Sequence, residues 1–218
     1  MTIQEMHDWF DLVMDKVGEP YFTDDEKDLF LNEAQINFVR QFFDIVFDKY
    51  NAERSNYDAE MLAPLIFPVF VQTTTTGQLL FSDLDAAVDT SWMYILNVAR
   101  KPVDKTCSTS SLDYLPSRNV RHNDFFKHQQ NAFKKEDEEY PMHRYFNTYL
   151  QINPENQANM QVTLLKYPTE VDLGTNVSSE LPEKAHNEIV FLALKFAGIN
   201  MDRTEFYAIV NTEQEKGI

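Results

Sequence analysis

The chain has 218 residues and a formal net charge of −16, from 35 acidic against 19 basic residues. This balance argues against binding to the phosphate backbone of nucleic acids, where basic side chains supply most of the affinity. Glycine is scarce, and neither GxGxxG nor GxxxxGKS/T occurs, which excludes the common phosphate-binding loops. The single Cys107 cannot form an internal disulfide and no long apolar run occurs, so we expect a soluble protein made in a reducing compartment.

A first helix is predicted over residues 2–17. Thr2 and Glu5 have the spacing of a capping box, in which a hydroxyl and a carboxylate each pair with a free amide at the helix start. Apolar residues then recur at helical spacing along one face: Ile3, Met6, Phe10, Val13 and Val17. Gly18 and Pro20 end this helix.

The stretch 23–50 carries the strongest local pattern in the chain. Thr23 and Glu26 repeat the capping-box spacing, and neither Gly nor Pro interrupts the residues that follow. Its apolar stripe is wide and includes Leu31, Ala34, Phe38, Phe42 and Ile45. We expect one long helix that other helices cover, packed as a hairpin on the first helix, with Phe22 as the staple residue before the cap.

From Pro64 the composition changes to β-branched and aromatic residues. Short strands are predicted over Val69–Val71 and the Thr73–Thr76 run, at 79–81 and at 92–98, and the last is apolar enough to be buried on both faces. Residues 101–119 have the Pro, Ser and Thr content of a long loop, which we expect to be mobile in the isolated subunit and ordered by neighbours in an assembly.

A helix is predicted over 123–133, followed by the acidic run 136–139, whose charge is typical of a solvated edge. Two further strands are predicted at 145–152 and 160–167. A short polar segment, 153–157, joins them, so we expect these two strands to form an antiparallel hairpin.

The C-terminal part is helical again. Pro182 opens a helix at its first position and Gly198 ends it, with one apolar face formed by Ala185, Ile189, Leu192, Ala193 and Phe196. A last helix is predicted over 202–216. Since their apolar stripes have no other large partner, we expect residues 181–216 to pack on the helix 23–50.

Helices at both chain ends and strands in the middle predict an α+β fold. We expect a helical bundle made by the two ends, with a β-rich insertion emerging from it. Its parts are the N-terminal helices (1–63), the insertion with its long loop (64–180) and the C-terminal helices that complete the bundle (181–218).

Few side chains stand in a pattern that predicts chemistry. No two of the five histidines have the i, i+4 spacing of metal ligands, and none stands beside the cysteine: His7, His122, His128, His143 and His186. Asp83 and Asp85 resemble the strand-end pair of phosphotransferring hydrolases, but alanines replace the usual Gly-Thr that follows. With Asp89 they also fail the calcium-loop pattern, because Val88 stands where Gly is needed. We expect these three aspartates to be turn and cap residues.

Cys107 has no histidine tied to it by a motif, so we interpret it as a bystander thiol. Phe125 and Phe126 lie near the predicted loop and have two interpretations: they fill a core, or they anchor a partner. We therefore expect no catalytic, cofactor-binding or metal-binding residues and no enzymatic activity.

Three pieces of the chain together resemble the ring proteins (collar or tail hub) of crAss-like bacteriophages. They are Gly18–Glu26 with Leu31-Asn32 and Ala34-Gln35, then Leu150–Pro168, and finally Leu181–Ala193. The order of helical hairpin, β middle and terminal helices is more distantly similar to the portal-adaptor proteins of short-tailed phages. Between Pro64 and Met142 the likeness is weakest, because Asp83-Leu84-Asp85 replaces a Leu-Pro-x-Asp turn.

The resemblance implies a non-enzymatic virion component, made in the bacterial host cytoplasm and placed in the neck or tail. It implies a ring, dodecameric to match the portal, with portal, collar or tail ring proteins as neighbours. DNA would pass through without specific binding, and no cofactor, membrane or small-molecule substrate is implied. Two rival hypotheses stay open: an acidic DNA-mimic inhibitor, and a hydrolase that uses Asp83 and Asp85.

Overall fold

The computed structural model describes residues 1–17, 22–47, 60–88, 91–100, 115–130, 141–155 and 160–200. The chain is mixed helix and sheet, which confirms the α+β class. It divides into two compact units. The helical unit comprises Met1–Leu65 and Pro168–Ile218, and the sheet unit comprises Ile66–Tyr167.

Two capped helices begin the helical unit: α1 (Ile3–Val17) and α2 (Asp24–Phe47). At α1, the Glu5 amide donates to Thr2 Oγ1 at 3.2 Å and the Thr2 amide donates to Glu5 Oε2 at 2.7 Å. At α2, Thr23 and Glu26 form the same reciprocal pair at 3.4 and 2.8 Å. Both predicted capping boxes are confirmed.

The two helices pack together through aromatic and charged side chains. Phe22 lies edge-on to Phe10 and Phe30, with ring centroids 6.0 and 5.2 Å apart, so the predicted staple residue does contact both helices. Lys27 of α2 donates to Asp11 of α1 at 2.7 Å. These bonds hold the charge of the buried Lys27, and Asp11 and Asp24 raise its pKa against the opposing effect of burial.

The helix α5 (Glu183–Asn200) packs against α2 and α1. This contact agrees with the prediction for residues 183–200, whereas 201–216 lie outside the described residues. Gly198 does not end the helix as predicted, since α5 continues through it to Asn200. Gly198 is itself buried, and a glycine in a packed helix leaves room for close approach of a neighbour.

Residues 168–181, which we call the clamp segment, are held on α2 by a polar ladder of Asp28, Asn32 and Gln35. Asn32 pairs with Val171 twice: Nδ2 donates to the Val171 carbonyl at 3.0 Å, and Oδ1 accepts from the Val171 amide at 2.7 Å. Asp28 Oδ2 accepts from the Leu173 amide at 3.0 Å. Gln35 Oε1 accepts from the hydroxyl of Ser179, within the clamp segment, at 2.6 Å.

The clamp segment also closes on itself. Asp172 and Val177 bond each other's backbone, and Glu180 Oε1 accepts from the amide and the hydroxyl of Thr169 at 2.8 and 3.0 Å. Because of these bonds, residues 168–180 belong to the helical unit and not to the predicted insertion 64–180. The sheet unit of the structure comprises residues 66–167.

The sheet unit holds eight described strands in two four-stranded sheets. One sheet has the order β1 (Ile66–Val71), β8 (Met160–Lys166), β3 (Trp92–Arg100), β4 (Leu115–Pro116). The other has the order β2 (Gln78–Leu80), β7 (Tyr149–Asn153), β6 (Met142–Tyr145), β5 (Arg118–Asn119). Two helices accompany them, α3 (Phe81–Val88) and α4 (His122–Gln130).

One apolar core joins both sheets and α3. Its buried members come from β1, β2, α3, β3, β7 and β8: Val69, Leu79, Leu84, Val98, Leu150, Ile152, Met160, Val162 and Leu164. Alternate residues of β8 point into this core, which follows from the two-residue period of a strand. The core explains why β8 occupies an interior position in its sheet, between β1 and β3.

The predicted hairpin of 145–152 with 160–167 is wrong. β7 and β8 lie in different sheets, and β7 instead forms a hairpin with β6, with Tyr145 opposite Leu150. The turn is tight, and the Phe146 amide donates to the Tyr149 carbonyl at 2.9 Å. The sequence misled because residues 145–152, read as one strand, contain this turn.

Three smaller expectations also change. Phe81 begins α3 instead of ending a strand, and β3 is not buried on both faces, since only its last three residues are fully buried. Of the predicted loop 101–119, residues 115–116 and 118–119 form the short strands β4 and β5. Ser117 between them is described as well, and residues 101–114 lie outside the described residues.

Strand β1 is the last described strand at one edge of its sheet and has exposed aromatic residues. Phe67 and Phe70 are exposed, while Val69 between them points into the core. Pro68 pairs in register with Thr163 of β8 and is itself exposed.

Candidate interaction surface

The guanidinium of Arg144 contacts two phenylalanine rings in the sheet unit. Its guanidinium carbon is 4.0 Å from the ring centroid of Phe125 in α4 and 4.9 Å from that of Phe146, after β6. A cation over an aromatic face contributes about 0.5–2 kcal/mol, more when the pair is desolvated. Contacts with both rings therefore help to hold Arg144 in place.

Further rings extend this stack across the β6–β7 hairpin. Phe146 stacks on Tyr149 with centroids 4.6 Å apart, and His122 meets Phe146 edge-on at 4.8 Å. The His122 ring is fixed by a 2.6 Å hydrogen bond between Nε2 and the Tyr145 carbonyl oxygen. We call His122, Arg144, Phe146 and Tyr149 the aromatic–arginine patch.

The local sequence builds this patch from two tight structures. The three-residue turn of the hairpin brings Phe146 back over Tyr149, and α4 begins where the amides of Asp124 and Phe125 donate to the Arg121 carbonyl. Beneath the patch, Phe125 packs with Val120 and Met142 in a small core. Arginine and aromatic residues on rigid elements are the composition enriched in protein–protein interfaces.

The patch settles one of the two interpretations of Phe125. Phe125 is buried beneath Arg144, so it fills a core and is not itself an exposed anchor. The side chain of Phe126 lies outside the described part of the structure. Sequence reasoning singled out Phe125 but not the Arg144 and Phe146 that pack near it, whose signal was the run His-Arg-Tyr-Phe at 143–146.

A second polar pair lies on the other face of β6. His143 Nδ1 is 2.9 Å from Ser117 Oγ, and both residues are buried. Burial lowers the pKa of His143 to about 4, so its imidazole is neutral at physiological pH. Tyr145, whose ring lies edge-on to His143, has its pKa raised by burial. A neutral histidine bonded to a buried serine stabilises the strand pairing of β5 with β6.

The helical unit has an open recess of about 490 Å³ between α1 and α5. Its lining includes three carboxylates and one indole: Met1, Glu5, Asp8, Trp9, Glu183 and Asn187. Asp8 and Glu183 are exposed, and Glu183 lies 3.2 Å from the amino group of Met1. The recess is suited to a cationic side chain by its charge and by the ring of Trp9.

The aspartates that resembled a hydrolase motif lie in α3 and not at a strand end. Asp83 is in the first turn of α3, and Asp85 Oδ1 accepts a hydrogen bond from the indole nitrogen of Trp92 at 2.8 Å. Both are exposed. Asp85 therefore orients Trp92 at the start of β3, while Asp89, Cys107 and the acidic run 136–139 fall outside the described residues.

The histidines are dispersed over both units. His7, His143 and His186 are buried, His122 is exposed in the patch, and the side chain of His128 is not described. His7 Nε2 lies 2.8 Å from Asp28 Oδ1, and His186 Nε2 lies 2.8 Å from the Leu181 carbonyl. Burial lowers the pKa of His186, although its bond to Leu181 opposes the shift.

Among the described side chains, no three His, Cys, Asp or Glu residues converge to hold a metal ion. Within the same ranges, no helix is both long and apolar enough to cross a membrane. No protein-family model matches the chain, and no curated protein matches it.

Proposed function

We propose that this chain is a structural virion protein that forms a ring around the DNA exit channel in the neck or tail of a bacteriophage. The observation that carries the proposal is the polar ladder. Asn32 and Gln35 belong to the first piece of the resemblance, and they bind the clamp segment, which runs from the end of the second piece to the start of the third. Residues far apart in the sequence thus meet in one contact, between α2 and the clamp segment.

In a ring subunit, the contact of the clamp segment with α2 holds the chain in place between the sheet unit and α5. The clamp segment connects the last strand of the inserted sheets to α5, and α2 holds it through side-chain bonds to backbone groups. Such bonds fix the path of the chain independently of side-chain identity in the clamp segment. We infer that the two chain ends form a bundle, which residues 202–216 complete, and that this bundle is the rigid body of each subunit.

The charge of the helical unit supports an acidic channel wall. Residues 1–65 and 168–218 carry 24 acidic against 9 basic residues, a net charge of −15, whereas 66–167 carry 11 against 10, a net charge of −1. Carboxylates that line a channel repel the phosphates of DNA and keep it from binding as it passes. We propose that the helical unit supplies this wall.

Electron microscopy of purified virions tests the proposal directly. The expected result is a ring of this subunit around the DNA path, twelve copies if it matches the portal, with native mass spectrometry giving the copy number from the 25.5 kDa chain mass. Absence of the chain from purified virions overturns the proposed function. A ring with a basic lumen would retain the ring and remove only the electrostatic role.

The same charge separation favours a second candidate, an acidic DNA-mimic inhibitor. Duplex DNA carries one charge per ~1.7 Å of axis, and a mimic needs a comparable density of carboxylates on one surface. The helical unit holds 24 of the 35 acidic residues of the chain, and this concentration of carboxylates favours a mimic. Tight, salt-sensitive binding of the purified chain to a nuclease or repressor, together with absence from virions, would establish this alternative.

A further inference from the structure

We propose that the aromatic–arginine patch of one copy docks on the acidic helical unit of a second copy, and that this head-to-tail contact joins neighbouring subunits. The inference rests on the proposed ring. It names the surface on the sheet unit, the chemistry of its partner and the residues that decide the pairing.

Among the described residues, the segments that form the patch carry more basic than acidic side chains, in a chain that is strongly acidic. The described segments 115–130 and 141–155 contain four basic residues, Arg118, Arg121, Lys127 and Arg144, against the two acids Asp124 and Glu155. Arg118 and Arg121 are both exposed. Arg118 lies in β5, opposite Met142 of β6, and Arg121 directly precedes His122 at the start of α4. Cationic and aromatic groups on one surface select an anionic partner, because the rings add apolar area while the arginines bind carboxylates.

A second copy of the chain supplies that partner. The helical unit has a net charge of −15, so two helical units repel each other, and two basic patches do the same. The attractive combination is patch against helical unit. Since these are different surfaces, the contact is heterologous and repeats from copy to copy, the type of interface that generates rings.

On the helical unit, the recess between α1 and α5 is the docking site for the aromatic–arginine patch of the next copy. Asp8 and Glu183 offer exposed carboxylates at its lining, and Trp9 offers a ring face for an arginine. Exposed acids elsewhere on the same unit, Asp25 and Glu33, provide a matched control, since their reversal changes the net charge equally.

The experiment uses charge reversal in the full chain. What we call the patch variant reverses the two exposed arginines next to the patch in the chain, Arg118→Glu with Arg121→Glu. The recess variant carries Asp8→Lys with Glu183→Lys, and the control variant carries Asp25→Lys with Glu33→Lys. Self-association is measured by sedimentation over a range of concentrations at low and high salt, and circular dichroism checks that each variant is folded. A fourth variant carries the patch and recess changes together in one chain. In a separate sample, the patch variant and the recess variant are mixed in equal amounts.

We expect the patch and recess variants each to lose self-association by about tenfold or more, with the control within about threefold of the wild type. The combined chain and the equimolar mixture should each regain association, because opposite charges again face each other, in alternating copies in the mixture. High salt should weaken all of these contacts.

The opposing outcomes are distinct. A wild-type chain that stays monomeric at every soluble concentration overturns the proposal. Patch reversal without effect, equal loss in the control, or a mixture that does not recover overturns it as well. A ring that forms in virions despite any of these results leaves the proposed function standing and places the subunit contact on another surface.

Discussion

Replacing Asn32 by alanine tests whether the polar ladder holds the clamp segment on α2. The change removes both hydrogen bonds to Val171, whose amide and carbonyl then lose their partners. Val171 is 1% exposed, so water does not readily replace the lost side chain. An unsatisfied buried polar group costs about 1–3 kcal/mol.

Asn32→Ala leaves two buried backbone groups of Val171 without their partners. Two groups at that cost, partly relieved by water entering the space left by the side chain, give about 2–4 kcal/mol. Alanine returns roughly 0.5 kcal/mol through its higher helix propensity. We therefore expect Asn32→Ala to lower the free energy of unfolding by about 1.5–3.5 kcal/mol.

Asn37 on the same helix provides the matched control. Its side chain donates only to Glu33 on the surface of α2, so Asn37→Ala has the same propensity gain without touching the clamp segment. We expect its free energy of unfolding to stay within ~0.5 kcal/mol of the wild type. Urea unfolding followed by circular dichroism gives both values.

Amide hydrogen exchange then shows where the stability is lost. In Asn32→Ala, the amides of Val171 and Leu173 should exchange faster, while β8 and β3 keep their protection. If Asn32→Ala and Asn37→Ala prove equally stable, with unchanged exchange at Val171, the ladder does not hold the clamp segment and the reasoning is refuted.

Two other predictions concern a core residue and a pH response. Phe38 is fully buried and stacks on Phe42, so Phe38→Ala should cost about 3–5 kcal/mol of unfolding free energy, against ~0.5 kcal/mol or less for the exposed Leu29; similar losses for both in urea unfolding would contradict this. The pKa of His143 is lowered from 6.5 to about 4. Between these pH values the His143 imidazole stays neutral in the folded chain, whereas it takes up a proton in the unfolded chain. Stability should therefore be full above about pH 6.5 and fall by up to ~3 kcal/mol towards pH 4, and His143→Gln should flatten this dependence in urea unfolding measured from pH 7 to 4. An unchanged pH slope in the variant would exclude His143 as the cause.

Local signals predicted the helical unit well. Each capping box depends on two residues three positions apart, and the hairpin of α1 and α2 depends on a short joint with Phe22 at its end. Neither needs knowledge of distant parts of the chain. The polar ladder had a local trace, since Asp28, Asn32 and Gln35 recur at helical spacing, but their partners lie more than a hundred residues away.

Strand pairing failed because its causes are not local. β7 and β8 follow each other in the chain, yet β8 joins β1 and β3 in the other sheet, where alternate side chains enter the shared core. Sequence adjacency favours a hairpin, while burial of apolar surface across the unit decides the partner. The aromatic–arginine patch was missed for the same reason, since Phe125 and Arg144 meet only after α4 and β6 have packed.

Pro68 has a consequence for how strand β1 meets other molecules. An exposed edge strand with two exposed phenylalanines invites a strand from another molecule to continue the sheet, which leads to aggregation. Proline has no N–H, so the outer edge of β1 lacks a donor in its middle and an incoming strand finds an interrupted ladder. Pro68 thus opposes the addition of a further strand at β1, even though Phe67 and Phe70 beside it are exposed.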